Sequence, residues 1–409
     1  MKSRISAAPA PAAGLLLLAI VAVALNLRPV MAVQGPLLDL IERETGMGSA
    51  GAGLLTTLPV AMMGLGALAG GRLRRLLGER VGIVLGTLLV ALACAARLLL
   101  PGTAGLLGSA AAAGLGIALV QALMPGVLKA SFGAGAGRAM GLYTTGIMGG
   151  AAVAAASAAG VAAQLGWQAG LALWAVPAAA AALLWWRAAP AARGAGVGLQ
   201  ARSTPAVWRL PRAWSLMLFF GLGTGAYTLV LAWLPPYYVS LGQSRAAGGL
   251  LLAGLTVAEV VSGLLVSVFI HRFPDRRVPL AAVLLSLLAG LGCLIVAPLA
   301  LMAPAVFLTG LGIGALFPLS LILALDHVDD AQGASELTAF VQGGGYLVAS
   351  LMPVVAGLIR ERLADLTQAW VLMALGVLLM LALVLRFAPR SCRLFGPRPA
   401  QAAACAAKA

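Results

Sequence analysis

The stretch VALNLRPVMAVQGP, residues 23–36, places an arginine and two prolines inside a run of residues suited to lipid. No other charged residue occurs between Ile5 and Leu38. An arginine at the centre of a bilayer costs about 2.5–3.5 kcal/mol on insertion scales. A chain that keeps Arg28 at this position therefore has either a partner for the charge or a use for it.

The whole chain has the composition of a membrane protein. Of its 409 residues, 62% are hydrophobic and only 10% are charged, whereas a soluble domain carries about 25% charged residues. The apolar runs are roughly 18–25 residues long, as membrane-spanning helices require. An outer-membrane barrel would instead show alternating segments of about 10 residues. The sequence therefore predicts an all-α membrane protein.

Apolar runs between charged residues and Gly/Pro breaks predict twelve transmembrane helices. They cover about residues 13–38, 49–70, 81–100, 104–128, 139–163, 167–187, 213–239, 246–270, 278–299, 302–325, 336–358 and 367–388. Of the 27 Lys and Arg residues, 21 fall on the side that holds both termini, 5 on the other side, and Arg28 within a helix. Because basic loops stay in the cytoplasm, both termini are predicted to be cytoplasmic.

The longest polar segment divides the predicted helices into two sets of six. Residues 188–212 form a predicted cytoplasmic linker between an N-terminal bundle, 1–187, and a C-terminal bundle, 213–409, with a short basic tail. The two bundles echo each other: AGLGIALVQALMP (113–125) parallels TGLGIGALFP (309–318). Parallel six-helix repeats around a central site are typical of transporters.

The net charge of +15 does not predict a nucleic-acid partner, because the arginines lie in short loops between apolar runs. The only histidines, His271 and His327, are too separated for a metal site. SFGAGAGRAMG (131–141) follows a helix instead of a strand, so it predicts a turn and no nucleotide site. No cofactor is expected.

The loop GRLRRLLGER (71–80) resembles the signature that follows helix 2 in the major facilitator superfamily. Arg75 stands where that signature has an aspartate, and Glu79 stands where it has an arginine. The superfamily's usual gating salt bridge therefore cannot form in its usual sense here.

A narrower resemblance covers nearly the whole chain. It rests on LNLRPV, GPLLDL, LLTTLPV, GLGIALVQALMPGVLK, MGLYTTGIMGG, AWLPPYY, GLGIGALFPLSLILALDH and FVQGGGY, in that order. These blocks are similar to the cyanate transporter and 2-nitroimidazole exporter (CynX/NimT) family. The resemblance implies a major facilitator fold in the inner (plasma) membrane. It also implies secondary active transport by alternating access of a small planar anion or weak acid such as cyanate. The alternative is export of heteroaromatic, drug-like compounds such as 2-nitroimidazole.

Arg28 is the leading substrate-binding candidate. In the superfamily that the chain resembles, helices 1, 4, 7 and 10 line the central cavity, and Pro29 predicts a kink beside the arginine. A guanidinium is planar and forked, which suits small oxyanion-like or planar ligands. The alternative is a structural arginine bonded to backbone carbonyls or to a carboxylate.

Glu259 is the only carboxylate well inside an apolar run. One hypothesis is that it carries a proton during transport, because a buried carboxyl group disfavours its charged form. A second is that it pairs with Arg28 until an anion competes for the arginine. The alternative is a structural glutamate whose side chain is satisfied by Ser262 or by backbone.

Further polar and aromatic residues are weighed as cavity lining against helix–helix contacts. The substrate-binding candidates are Asn26, Gln121, Tyr227, Trp233 and Gln342, with Tyr143, Phe317 and Tyr346 as secondary ones. Trp233 has a third interpretation as an interfacial anchor. Candidate gating residues lie in the predicted cytoplasmic loops, at Arg75, Arg80, Asp326 and His327.

Two other functional classes fit the sequence less well than a transporter does. A membrane enzyme would need a catalytic cluster, and no HExxH, GxSxG or paired intramembrane carboxylates occur. A non-transporting receptor is disfavoured because the chain has no sizeable soluble domain. The sequence contains no Walker motif, so direct use of ATP is not expected. The expected partners are a small-molecule substrate, the lipid bilayer and, on the Glu259 hypothesis, protons. We expect a functional monomer.

Overall fold

The computed structural model describes residues 10–189, 207–273, 275–328 and 331–387. These residues form α-helices joined by short turns, with no strand among them. Twelve helical spans in these ranges are long and apolar enough to cross a membrane. Most of the predicted linker and both chain termini lie outside the described residues.

The first span is built from short pieces. Helix α1 covers Ala10–Leu25, α2 covers Pro29–Ala32, a single 3₁₀ turn covers Gly35–Leu37, and α3 covers Leu38–Thr45. The first span expected over about 13–38 and its kink beside Arg28 are confirmed, and the structure adds a second break before Pro36 and an extension to Thr45. The breaks fall at the two prolines, each of which lacks the N–H that would bond four residues back.

The other eleven spans follow the expected order. In the first half of the chain they are α4 (Ser49–Leu77), α5 (Glu79–Leu99), α6 (Thr103–Phe132), α7 (Ala136–Leu165), and α8 (Trp167–Ala172) with α9 (Ala175–Ala188). In the second half they are α10 (Pro211–Ser240), α11 (Arg245–Phe269), α12 (Arg277–Val296), α13 (Met302–Leu325), α14 (Ala331–Leu363) and α15 (Thr367–Leu385).

Two helix pairs carry most of the contact between the two halves of the chain, α4 with α14 and α7 with α11. Glycines permit this packing. A Cβ at Gly53 of α4 would overlap the carbonyl of Pro353, and one at Gly249 of α11 would overlap the carbonyl of Ala155. Close backbone approach at small residues is a principal way in which helices pack in a membrane.

A third close approach lies at the break in the first span. In an α-helix the carbonyl of Leu25 would accept from the N–H of residue 29, but that residue is proline. The backbone of α7 lies against this carbonyl at Gly150, where a Cβ would overlap the oxygen. A residue larger than glycine would push α7 away from the broken segment.

We expect Gly150→Ala to lower the melting temperature of the purified protein. Helix propensity alone predicts the opposite, since alanine in a helix interior is favoured over glycine by about 1 kcal/mol. Forcing an extra carbon against the Leu25 carbonyl instead costs about 1–3 kcal/mol. The control is Gly160→Ala in the same helix, where a Cβ would meet nothing within 4 Å. Equal stabilisation by both substitutions would contradict this account.

Candidate functional site

Arg28 lies at the first break, immediately before α2, and only 6% of it is exposed. Its Nη1 is 3.8 Å from the sulfur atoms of Met31 and Met63. Its guanidinium carbon lies 5.3 Å from the ring centre of Tyr227. Its Nε has no hydrogen-bond partner among the described residues. The charge is therefore held by polarisable sulfur and an aromatic face, and it retains donor capacity.

Four further polar side chains lie within electrostatic range of this guanidinium. Tyr143 of α7, Tyr227 of α10, Glu259 of α11 and Tyr346 of α14 each interact electrostatically with Arg28. We call these four residues and Arg28 the Arg28 cluster. They come from both halves of the chain, so the cluster lies where the halves meet.

The Arg28 cluster contains an unusual number of unsatisfied polar atoms. The hydroxyls of Tyr143 and Tyr227 and both carboxyl oxygens of Glu259 are buried without a hydrogen-bond partner in the described part of the chain. Each such atom costs about 1–3 kcal/mol. Native proteins keep few of them, and a concentration of them in one place points to a ligand site.

Glu259 is 3% exposed. Gly314 of α13 packs directly on its backbone, where a Cβ would overlap the Glu259 carbonyl oxygen. The hydroxyl of Ser262 donates to that same backbone carbonyl at 3.2 Å and leaves the carboxyl group unsatisfied. Glu259 also forms no ion pair with Arg28. The carboxyl group is thus available to a proton or to a ligand.

The remaining substrate-binding candidates are placed differently. Asn26 donates from Nδ2 to the Ala22 carbonyl at 2.8 Å, and its Oδ1 has no partner among the described residues. Gln121 and Gln342 are half-buried on α6 and α14. Trp233 is fully buried, and its indole N–H donates to the Pro353 carbonyl at 2.8 Å. This bond joins α10 to α14, and the substrate-binding role of Trp233 stays a prediction.

Arg97 is a buried charge near the end of the predicted third span, about 81–100, and it was not among the candidate site residues. It lies in the last turn of α5 and is 1% exposed. Its Nη1 donates to the carbonyl of Val30 at 2.8 Å, and its Nε donates to the Ser109 hydroxyl at 3.1 Å. The sequence shows only an arginine at the end of an apolar run, a pattern that an exposed loop arginine shares. It therefore gives no sign that Arg97 is buried.

Two ion pairs join the halves of the chain at the end of the bundle that holds Asp39, here called the Asp39 end. Arg245 contacts both carboxylate oxygens of Asp39, with a shortest distance of 2.7 Å. Arg360 contacts Glu42 at 3.0 Å. Both acids lie on α3, and their partners lie on α11 and α14. The two pairs therefore tie the two halves of the chain together at this end.

The predicted gating residues lie near the opposite end, and the contacts seen for them stay within one half of the chain. Arg80 stacks on the ring of Trp186 at 4.5 Å, and Arg75 is exposed. Asp326 pairs with Arg276 at 2.8 Å. Their gating role stays a prediction, and Asp329 and Asp330 of the same loop lie outside the described residues.

His327 has a polar contact at each of its ring nitrogens. Its Nε2 accepts a hydrogen bond from Nε of Arg212 at 2.9 Å, and its Nδ1 contacts the Leu323 carbonyl at 2.7 Å. Burial lowers the pKa of His327, and the charge of Arg212 lowers it further, while the Leu323 carbonyl and Asp326 act in the opposite sense.

A bundle of twelve spans with a buried, unsatisfied polar cluster where its halves meet, tied together at one end by ion pairs, is the architecture of a secondary transporter. The sequence model of the Major Facilitator Superfamily matches residues 16–353 and 239–402. The chain belongs to this superfamily.

Two relatives from Escherichia coli (strain K12) align along most of the chain. The cyanate transport protein CynX is 38% identical over 376 residues, which are 91% of this chain and 97% of the relative. The 2-nitroimidazole transporter is 32% identical over 381 residues, which are 91% of this chain and 94% of the relative. The family expected from the sequence blocks is therefore confirmed.

Solved structures show the same fold. A bacterial homologue of the human lysosomal transporter Spinster, in an inward-facing and occupied conformation, superposes with a TM-score of 0.74 at 16% identity, covering 96% of this chain and 100% of the other. The D-xylose-proton symporter gives a TM-score of 0.70 at 13% identity, with coverage of 90% and 96%. The protein is a multi-pass, membrane-embedded secondary transporter of a small-molecule substrate and not an enzyme.

We expect Asp39→Asn to favour opening of the Asp39 end. Loss of one partly buried ion pair costs about 1 kcal/mol, a roughly fivefold shift in population. Spin labels at the exposed residues Leu165 and Leu363, in a variant lacking the native cysteines, would report longer distances by pulsed electron paramagnetic resonance.

The charge-reversed double variant, Asp39→Arg with Arg245→Asp, is expected to restore the wild-type distances. Asp275→Asn is the matched control, because its ion pair with Arg277 lies within the second half of the chain. Unchanged spin-label distances in Asp39→Asn would show that this ion pair does not hold the Asp39 end closed.

Proposed function

We propose that this protein transports a small planar monoanion or weak acid of the cyanate type across the inner membrane, with Arg28 as the binding cation. The observation that carries the proposal is a buried guanidinium with unused donor capacity and no carboxylate partner. The name of the cyanate transport protein, a relative aligned over 91% of this chain, supports the same substrate class.

The chemistry of the Arg28 cluster favours one negative charge on a flat ligand. Arg28 supplies one cation, and the hydroxyls of Tyr143 and Tyr227 supply neutral donors. The ring of Tyr227 and the thioethers of Met31 and Met63 add apolar, polarisable surface. A dianion would leave one charge unmatched in an apolar setting, which is costly.

Glu259 makes proton coupling part of the proposal. An anion bound at Arg28 would be repelled by a charged Glu259 and accommodated by a protonated one. Binding of the anion and binding of a proton then favour each other, since such linkage is reciprocal. A transporter built in this way moves both in the same direction.

The orientation follows from the distribution of basic residues. With both termini in the cytoplasm, the Asp39 end faces the periplasm, and its two ion pairs close the periplasmic side. Alternating access then requires these pairs to break as the site opens outward. We propose a monomer as the functional unit, because the Arg28 cluster is complete within one chain.

A second candidate is export of heteroaromatic compounds such as 2-nitroimidazole. The observation that favours it is the aromatic character of the Arg28 cluster, which contains three tyrosines, one of them with its ring 5.3 Å from the guanidinium carbon. The second relative, a 2-nitroimidazole transporter at 32% identity, supports the same candidate. Both candidates use one site, so one assay separates them.

We expect purified protein in proteoliposomes to move labelled cyanate saturably, and Arg28→Ala to raise its KM by about 10- to 100-fold. A hydrogen bond to a charged group contributes about 1.5–3 kcal/mol, and 1.4 kcal/mol is a factor of ten. Arg43→Gln at an exposed position is the control. Saturable flux of 2-nitroimidazole in place of cyanate would favour the second candidate. Wild-type kinetics in Arg28→Ala would reject the binding role of Arg28.

We expect Glu259→Gln to abolish the stimulation of uptake by an imposed inward proton gradient while substrate exchange at equal pH continues. The amide keeps the shape of the protonated acid and cannot release a proton. The measurement is initial uptake with and without the gradient, with exchange in the same vesicles as the control for folding. An undiminished response to the gradient would exclude Glu259 as the coupling group.

A further inference from the structure

The break in the first span leaves the carbonyl of Val30 without its backbone hydrogen-bond donor, so that side chains can bond to it. In a regular α-helix it would accept from the N–H of Gln34. That N–H instead bonds to the carbonyl of Met31 at 3.3 Å, in a 3₁₀ pattern. The Val30 oxygen accepts from two side chains, Nε2 of Gln34 at 2.7 Å and Nη1 of Arg97 at 2.8 Å.

Arg97 reaches this carbonyl from a fixed base. Its Nε donates to the hydroxyl of Ser109 on α6 at 3.1 Å, and that hydroxyl donates to the carbonyl of Leu106 at 2.8 Å. None of the ion pairs among the described residues includes Arg97, and its Nη2 has no partner there. A fully buried arginine without a carboxylate is expensive. The contact that sets Arg97 apart is its hydrogen bond to the Val30 carbonyl in the broken first span.

We propose that Arg97 is a positioning residue for the substrate site. It holds α2 so that the Arg28 guanidinium faces the other four residues of the Arg28 cluster. The inference rests on the proposed role of Arg28 as the binding cation. Val30 lies two residues from Arg28, within a single helical turn. That turn also carries Met31, whose sulfur contacts Arg28, so movement of the turn displaces both the cation and part of its surroundings.

The competing account makes Arg97 a contact between α5 and α6 only, through Ser109. The two accounts predict different effects on the substrate site when the bond to Ser109 or the bond to Val30 is lost. Ser109→Ala removes the α6 bond and keeps the bond to Val30, whereas Arg97→Gln removes both. Arg97→Lys keeps the charge with a single-point donor and is expected to be intermediate.

The test combines transport kinetics with hydrogen exchange measured by mass spectrometry on peptides covering residues 27–37. In Arg97→Gln we expect exchange in this segment to rise about tenfold, and the KM for cyanate to rise about tenfold with a maximal rate within threefold of wild type. Ser109→Ala and the exposed control Arg43→Gln should resemble wild type in both measurements.

An unchanged KM, or exchange that rises equally in α10–α15, would overturn the inference, because either result indicates no specific hold on the broken segment. If Arg97→Gln does not fold, Gln34→Leu removes the other donor to the Val30 carbonyl and should raise exchange in the same peptides. Wild-type flux in Arg28→Ala would reject the proposed function. An inactive Arg28→Ala together with an unchanged KM in Arg97→Gln would reject the present inference alone.

Discussion

A backbone carbonyl inside a membrane cannot rely on water, and the first span exposes such carbonyls on both sides of Arg28. Two of them have identifiable neighbours. Gly150 brings the backbone of α7 against the Leu25 carbonyl, and the side chains of Gln34 and Arg97 bond the Val30 carbonyl. The positions of α5 and α7 against the first span therefore follow from one defect in one helix.

The charge of Arg28 imposes a second requirement on the same region. Sulfur and an aromatic face stabilise it less than a carboxylate would, and this leaves the guanidinium free to bind. Glu259 lies close enough to interact electrostatically but is not paired with it. Because the Arg28 cluster draws residues from both halves of the chain, a relative movement of the halves changes the site itself.

The sequence predicted what depends on local pattern. Apolar length defined all twelve spans, including the tenth at about 302–325, which the structure has as Met302–Leu325. The placement of Arg28 and Glu259 deep in apolar runs was also readable. Arg97 was not, because the end of an apolar run looks the same whether its arginine meets lipid headgroups or another helix. The Asp39–Arg245 pair was missed because its members are far apart in sequence.

The ion pairs at the Asp39 end and the Arg28 cluster belong to the same helices. Asp39 is bonded to the first residue of α11, and Glu259 lies on α11 about 21 Å further along at 1.5 Å per residue. Glu42 is bonded to Arg360 of α14, which also carries Tyr346. A regular helix transmits displacement along its length, whereas the first span is interrupted between α3 and Arg28. Separation of the halves at the Asp39 end is therefore expected to move Glu259 relative to Arg28, and on the proposed role of Arg97 the broken segment keeps its bond to α5 through the Val30 carbonyl.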